Sequence, residues 1–138
     1  MSIVGTFRNS VTAQLAPRGF NVSLWGGATR LSNHVLDVST KPLPTVLYIK
    51  VSTSAVGFWG LTKNQLDRLA EARVRWFCVF LRRSASVGYL LSGGQVLMRV
   101  KDGSLTLHHD GDYKVNQRAM FVSSQRFETI DALISRTF

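Results

Sequence analysis

His34-Val35-Leu36-Asp37-Val38 and Val46-Leu47-Tyr48-Ile49-Lys50-Val51, separated by a turn carrying Pro42 and Pro44, decide how the 138-residue chain folds. Both runs are short, rich in β-branched residues and bounded by turn formers, the pattern of two strands paired as a hairpin. Beyond them, residues 52 to 61 combine Ser, Thr, Ala and Gly with the pair Phe58-Trp59 and read as a small-residue loop closing on two aromatics. Thr62 then offers a side-chain oxygen to cap a helix from Lys63 to about Arg75, with Leu66, Leu69, Ala70 and Val74 as its buried face. Trp76 to Leu81 is too apolar for a surface strand and reads as a central strand buried on both faces. A parallel crossover from the second hairpin strand to this one follows.

Toward the N-terminus, Ile3, Val4, Phe7, Val11 and Leu15 recur at helical spacing, so residues 3 to 16 read as an amphipathic helix ended by Pro17 and Gly19. Phe20 to Trp25 alternates apolar with polar residues before Gly26-Gly27, as a half-buried strand does. Toward the C-terminus, Tyr89-Leu90-Leu91 follows the basic turn Arg82-Arg83. Gln95 to Lys101 reads as a short helix or strand, Leu105 to His108 as a short strand and Phe127 to Ser135 as a terminal helix. There is no internal repeat and no low-complexity segment. The expected architecture is one α/β domain over residues 1–138, a mixed central sheet flanked by helices.

Composition narrows the function. Lys plus Arg number 17 against 8 Asp plus Glu, a formal charge of +9, with 45% hydrophobic and 18% charged residues. Such a chain fills a core and presents a positive field that favours polyanions, nucleic acid before an anionic membrane surface. The one cysteine, Cys78, has no partner for an internal disulfide and lies in an apolar run, as a buried inert thiol in a reducing compartment would. No apolar stretch reaches the roughly 18 residues that span a bilayer, and the N-terminus lacks the basic-then-apolar order of a signal peptide, so a cytoplasmic protein is expected. Residues 1 to 36 carry Arg8, Arg18 and Arg30 and no acidic residue, as a transit peptide can, but they also supply a helix and strand that the fold needs.

The most informative pairing of reactive residues is Asp37 on one hairpin strand and Lys50 on the next, followed by Ser52, Thr53 and Ser54. A carboxylate there can hold a divalent cation, and an ammonium can steady a water or a phosphate. The plain alternative is a surface ion pair of about 0–1 kcal/mol.

In order and motif, residues 3 to 91 resemble the PD-(D/E)XK nuclease superfamily, whose restriction-endonuclease-like fold is also seen in Holliday-junction resolvases. In that family a helix precedes a strand hairpin, an Asp stands near the end of one strand, and an acidic-x-Lys triplet lies on the next. Asp37 matches the first position and Tyr48-Ile49-Lys50 aligns with the triplet, with Tyr48 standing where the family has its acidic residue. Gln65 matches a residue that the following helix commonly brings toward the site. The resemblance implies Mg²⁺ or Mn²⁺ held by Asp37, water or phosphate charge managed by Lys50, and assistance from Gln65. Because one carboxylate holds Mg²⁺ weakly, three variants stand side by side. The acidic residue has migrated to Asp67 or Glu71, phosphate oxygens complete the metal shell, or the fold only binds.

For nucleic-acid contact the candidates are Lys63, Arg68, Arg73 and Arg75 on the second helix, Arg82 and Arg83 after the buried strand, and Phe58 and Trp59 in the loop beyond Lys50. Basic side chains bind phosphates in a salt-dependent way, and an exposed aromatic stacks on an unpaired base. Against this, aromatics flanked by glycines also pin loops onto cores, and arginines also line solvated helix faces. His108-His109-Asp110-Gly111-Asp112 holds metal-ligand types, yet neighbours on a strand point to opposite faces, and Asp110-Gly111-Asp112 reads more simply as a turn. His34, Tyr48 and Tyr113 have no base or nucleophile partner identifiable by spacing. No Ser-His-Asp order, phosphate loop, zinc spacing or dinucleotide fingerprint is present. Two functions are expected: a metal-dependent endonuclease acting on nucleic acid, DNA before RNA and as a monomer or homodimer, or an inactive nuclease-fold adaptor that binds nucleic acid or an acidic protein surface.

Overall fold

In a computed structural model, which describes residues 2–117 and 121–138, six strands form one sheet: β1 (Val22–Leu24), β2 (Val35–Val38), β3 (Thr45–Ser52), β5 (Arg75–Arg82), β6 (Gly88–Ser92) and β8 (Arg126–Phe127). They lie in the order β1-β2-β3-β5-β6-β8, antiparallel except for the β3–β5 pair. A separate two-stranded ribbon pairs β4 (Phe58–Thr62) with β7 (Asp112–Asn116). The described residues also form the α-helices α1 (Ile3–Leu15), α2 (Lys63–Glu71), α3 (Gly93–Lys101) and α4 (Ile130–Thr137).

The sheet separates two apolar layers. On one face Leu36, Val38, Leu47, Ile49, Val79 and Leu81 pack against Val4, Phe7, Val11 and Leu15 of α1 and Leu133 and Ile134 of α4. At about 1.5–3 kcal/mol for each fully buried side chain, these four α1 residues outweigh the weak helix propensity of its Val, Thr, Ser and Asn residues, which cost only tenths each. Ser2 fixes where the helix starts, its Oγ accepting from the Gly5 N–H at 2.9 Å. On the other face Val46, Tyr48, Cys78, Phe80 and Leu91 pack against Trp59 and Leu61 of the ribbon, Leu66 and Leu69 of α2, and Val96 of α3. Gly88 is required where it stands, because a Cβ there would strike the Phe80 carbonyl across the β5–β6 pair.

The helix at the N-terminus, the hairpin, the parallel crossover and the buried strand stand as the sequence predicts. Gln95 to Lys101 is helical, started by a capping box between Ser92 and Gln95. Other expectations are corrected. The stretch 52–61 is not all loop, since Phe58 opens β4. The second helix stops at Glu71 and not near Arg75, which is the first residue of β5. Its buried face consists of Gln65, Leu66 and Leu69, while Ala70 is exposed. The Thr62 side chain makes no cap. Leu105 to His108 contributes one isolated bridge, Leu107 to Tyr113, because the partner of β7 is β4. Phe127 belongs to β8, and the last helix begins at Ile130 behind Thr129, whose Oγ1 accepts from Ala132 N–H at 3.1 Å.

Candidate functional site

Register places Asp37 and Lys50 on one sheet face but at opposite ends of the hairpin. Asp37 lies opposite Val46 and Tyr48 opposite Val35, so Lys50 is four residues along β3 from the position facing Asp37, about 13 Å at strand rise. Asp37 lies near the proline turn, flanked across β1 by Ser23. Partial burial alone pushes its carboxyl above the usual carboxylate range; a cation beside it would do the reverse.

Lys50 sits toward the far end of β3, beside Phe80 of β5. Its ammonium lies 5.6 Å from the centroid of the Tyr48 ring. Burial lowers its pKa, and the opposing pull toward the charged form comes first from Asp112, not from Asp37. Lys50 also adds to the burial that holds His34 below the ordinary imidazole value. Tyr48 is 5% exposed, and its phenol is raised by burial. At the long limit of a hydrogen bond, 3.5 Å, its Oη accepts from the Thr62 N–H. Asp112 lies over Gly60, where a Cβ would meet its carboxylate, and its Oδ2 is 3.7 Å from Lys114 Nζ. The residue facing Lys50 electrostatically is therefore on the small ribbon, which spacing along the hairpin does not indicate.

Gln65 is 3% exposed, and its Oε1 accepts from the backbone N–H of Thr29 at 3.0 Å and from Thr29 Oγ1 at 3.2 Å. Its Nε2 has no hydrogen-bond partner. The side chain ties α2 to the loop between β1 and β2. Asp67 pairs with Lys63 at 2.6 Å on the exposed side of α2, and Glu71 is also exposed, so neither stands in for the missing acidic residue of the triplet. Asp110, paired with Lys114 at 2.6 Å, accepts from the Asp112 N–H at 3.0 Å, and Gly111 has φ +88°, the geometry of a turn. Among the described residues no three His, Cys, Asp or Glu side chains are grouped to hold a metal. A Mg²⁺ ion takes one or two carboxylates together with substrate phosphates. No other charged group acts on Asp37, and Lys50 lies at the far end of the hairpin, so the two do not form a joint metal site.

The basic residues divide between the two ends of the sheet. Arg75 lies at the start of β5, where its guanidinium donates to Thr45 Oγ1 at 3.4 Å and to the Thr137 carbonyl at 3.2 Å. Lys63 and Arg68 are on the exposed side of α2, and Arg73 is exposed beyond the end of that helix. Arg82 and Arg83 lie at the C-terminal end of β5, near the end of β3 that carries Lys50. Arg82 donates to the carbonyls of Ser54 and Ala55, and Arg83 Nε donates to Thr53 at 3.2 Å. Arg83 adopts φ +56°, a left-handed conformation that a non-glycine residue takes at a cost of about 1 kcal/mol or more. The aromatic pair also splits. Trp59 is 2% exposed and donates from Nε1 to the Leu81 carbonyl at 3.0 Å, so it is unavailable for stacking on a base. Phe58 is 49% exposed. The missed basic member of this end is Arg126, which follows from the β6–β8 pairing and not from local sequence.

No protein-family model matches the chain, and no curated protein matches it in sequence. Among solved structures, it is similar to Hjc, a Holliday junction resolvase from the archaeal hyperthermophile Archaeoglobus fulgidus. The TM-score is 0.54 with 11% identity, over 94% of this chain and 98% of that one. The chain has a restriction-endonuclease-like fold, a mixed α/β sheet flanked by helices. The likeness rests on the fold and not on the motif. Among the described residues no helix is long and apolar enough to cross a membrane.

Proposed function

We propose that this chain is a DNA-binding protein built on a nuclease fold, gripping the phosphate backbone with the end of the sheet where Lys50, Arg82 and Arg83 gather. The observation that carries this reading is that collection of cations at the C-terminal ends of two adjacent parallel strands, where open α/β sheets bind ligands. The net charge of +9 supports it, as does the similarity of fold to a Holliday junction resolvase. Lys63 and Arg68 extend the field along α2, and Arg73 lies beyond its end. Phe58 supplies an exposed ring for an unpaired base. The protein acts as a single domain in a reducing, cytoplasmic setting, with DNA preferred to RNA.

Metal-dependent cleavage, with or without a second copy, is the other reading, supported by the similarity of fold to a Holliday junction resolvase. One experiment separates the two. The protein is incubated with labelled single-stranded, duplex and branched DNA and with RNA, in Mg²⁺, Mn²⁺ or chelator, beside Asp37→Asn and Lys50→Ala. Shifted bands that ignore chelator and weaken in Lys50→Ala support binding without cleavage. Metal-dependent products that vanish in Asp37→Asn overturn it in favour of an endonuclease.

A further inference from the structure

Beside the strand ends that carry Lys50 and Arg82 lies a cavity of about 140 Å³. Arg82, Arg83 and Arg126 line it, with Tyr89 and Gln117 among its walls. The three arginines reach it from two strands and the turn after β5: Arg82 ends β5, Arg83 follows it in the left-handed conformation, and Arg126 faces Tyr89 across the β6–β8 pair. Among the described residues neither Arg82 nor Arg83 has a carboxylate within ion-pair distance. Arg126 has only Glu128, at 3.2 Å and with its side chain 73% exposed.

Arg82 and Arg83 are oriented by the carbonyls of Thr53, Ser54 and Ala55, and Arg126 by Glu128, so the wall of the cavity keeps a net positive charge. The guanidinium donors that these bonds leave over suit the oxygens of a phosphate. The volume of about 140 Å³ has room for a phosphate group. A phosphate at the end of a strand can enter such a cavity end-on. It also carries up to two negative charges near neutral pH, against one for each internal phosphodiester.

We propose that this cavity captures the terminal phosphate monoester of a DNA strand, so that the protein recognises phosphorylated ends. The inference deepens the DNA-binding reading and rests on it.

The test is fluorescence anisotropy with three versions of one blunt DNA hairpin, ended by a 5′-phosphate, a 3′-phosphate or hydroxyls alone. One phosphorylated end binds about tenfold more tightly than the hydroxyl end, and which of the two does so identifies the strand polarity. Arg126→Gln, on an exposed edge position, brings that DNA down to the affinity of the hydroxyl-ended hairpin. Arg126→Lys, which keeps the charge but loses the planar fork, falls between. Equal binding of all three hairpins, or a preference that survives Arg126→Gln in a protein of unchanged melting temperature, overturns the phosphate cavity and leaves DNA binding standing. Failure to bind any of the three overturns both.

Discussion

The indole of Trp59 reaches across from the ribbon and donates its Nε1 proton to the carbonyl of Leu81, the residue before Arg82 on the central strand. The ring also meets Phe80 at 5.4 Å and Phe121 at 5.8 Å between centroids, both edge-on. Phe121 in turn stacks on Tyr89 at 4.3 Å. This aromatic group fastens β4 to the same end of the sheet that holds the arginines. Trp59→Phe keeps most of the packing and loses one hydrogen bond, an expected loss of about 1 kcal/mol. Trp59→Ala opens a cavity and costs about 3–5 kcal/mol. Urea unfolding midpoints check both, and DNA affinity in Trp59→Phe stays near that of the parent.

Phe58, one residue away and half exposed, has the opposite expectation. Phe58→Ala leaves the unfolding midpoint nearly unchanged and weakens single-stranded DNA binding by about 1–3 kcal/mol. A matched titration with fully paired duplex reads a smaller loss. Equal losses on both substrates would mean that the ring contacts backbone and not bases.

Salt measures the arginines. Each phosphate contact removed lowers the slope of log affinity against log salt by about 1. Arg82→Ala and Arg83→Ala are each expected to reduce that slope. Arg75→Ala, whose guanidinium is engaged with Thr45 and Thr137 at the other end of β5, leaves it unchanged and lowers stability instead. Binding isotherms from low to physiological salt provide the comparison.

Asp37 gives a prediction in pH. Its folded pKa is raised by burial, so the folded state holds that proton more tightly than the unfolded chain does. The resulting stability is present below the unfolded value of about 3.9 and is lost as pH rises through the folded value. Asp37→Asn is therefore expected to be at least as stable as the parent at pH 7, with the advantage disappearing on acidification. Denaturant midpoints at neutral and acid pH read this directly, and a parent protein more stable than Asp37→Asn at pH 7 would contradict it.

Gln65→Leu strips the acceptor from the Thr29 N–H and is expected to cost about 1–3 kcal/mol of stability. If Gln65 only ties α2 to the β1–β2 loop, DNA affinity measured well below the melting temperature does not change.

Much of this fold was legible because its deciding elements carry local signals. The spacing of Val4, Phe7, Val11 and Leu15 gives α1, the two hydrophobic runs around Pro42 and Pro44 give the hairpin, and the continuous apolar run from Trp76 identifies a strand covered on both faces. What escaped depends on distant partners. Phe58 to Thr62 looks like a loop because Gly57 and Gly60 interrupt it, yet it alternates outward and inward residues once paired with the distant segment Asp112–Asn116. The end of the second helix is not legible because no Gly or Pro stops it at Glu71; the chain leaves the helix there to enter β5. For the candidate site, sequence placed Asp37 and Lys50 on adjacent strands and one face, but register decides which end of the hairpin each occupies. The Asp112 and Arg126 contributions arise only from the ribbon and from β8.

The outermost strands of the main sheet, β1 and β8, are three and two residues long. Long, flat borders invite strand-on-strand recruitment, the route by which sheets merge between molecules or grow into fibrils, and very short borders resist it. The six-stranded sheet thus offers neighbouring molecules little backbone to zip onto.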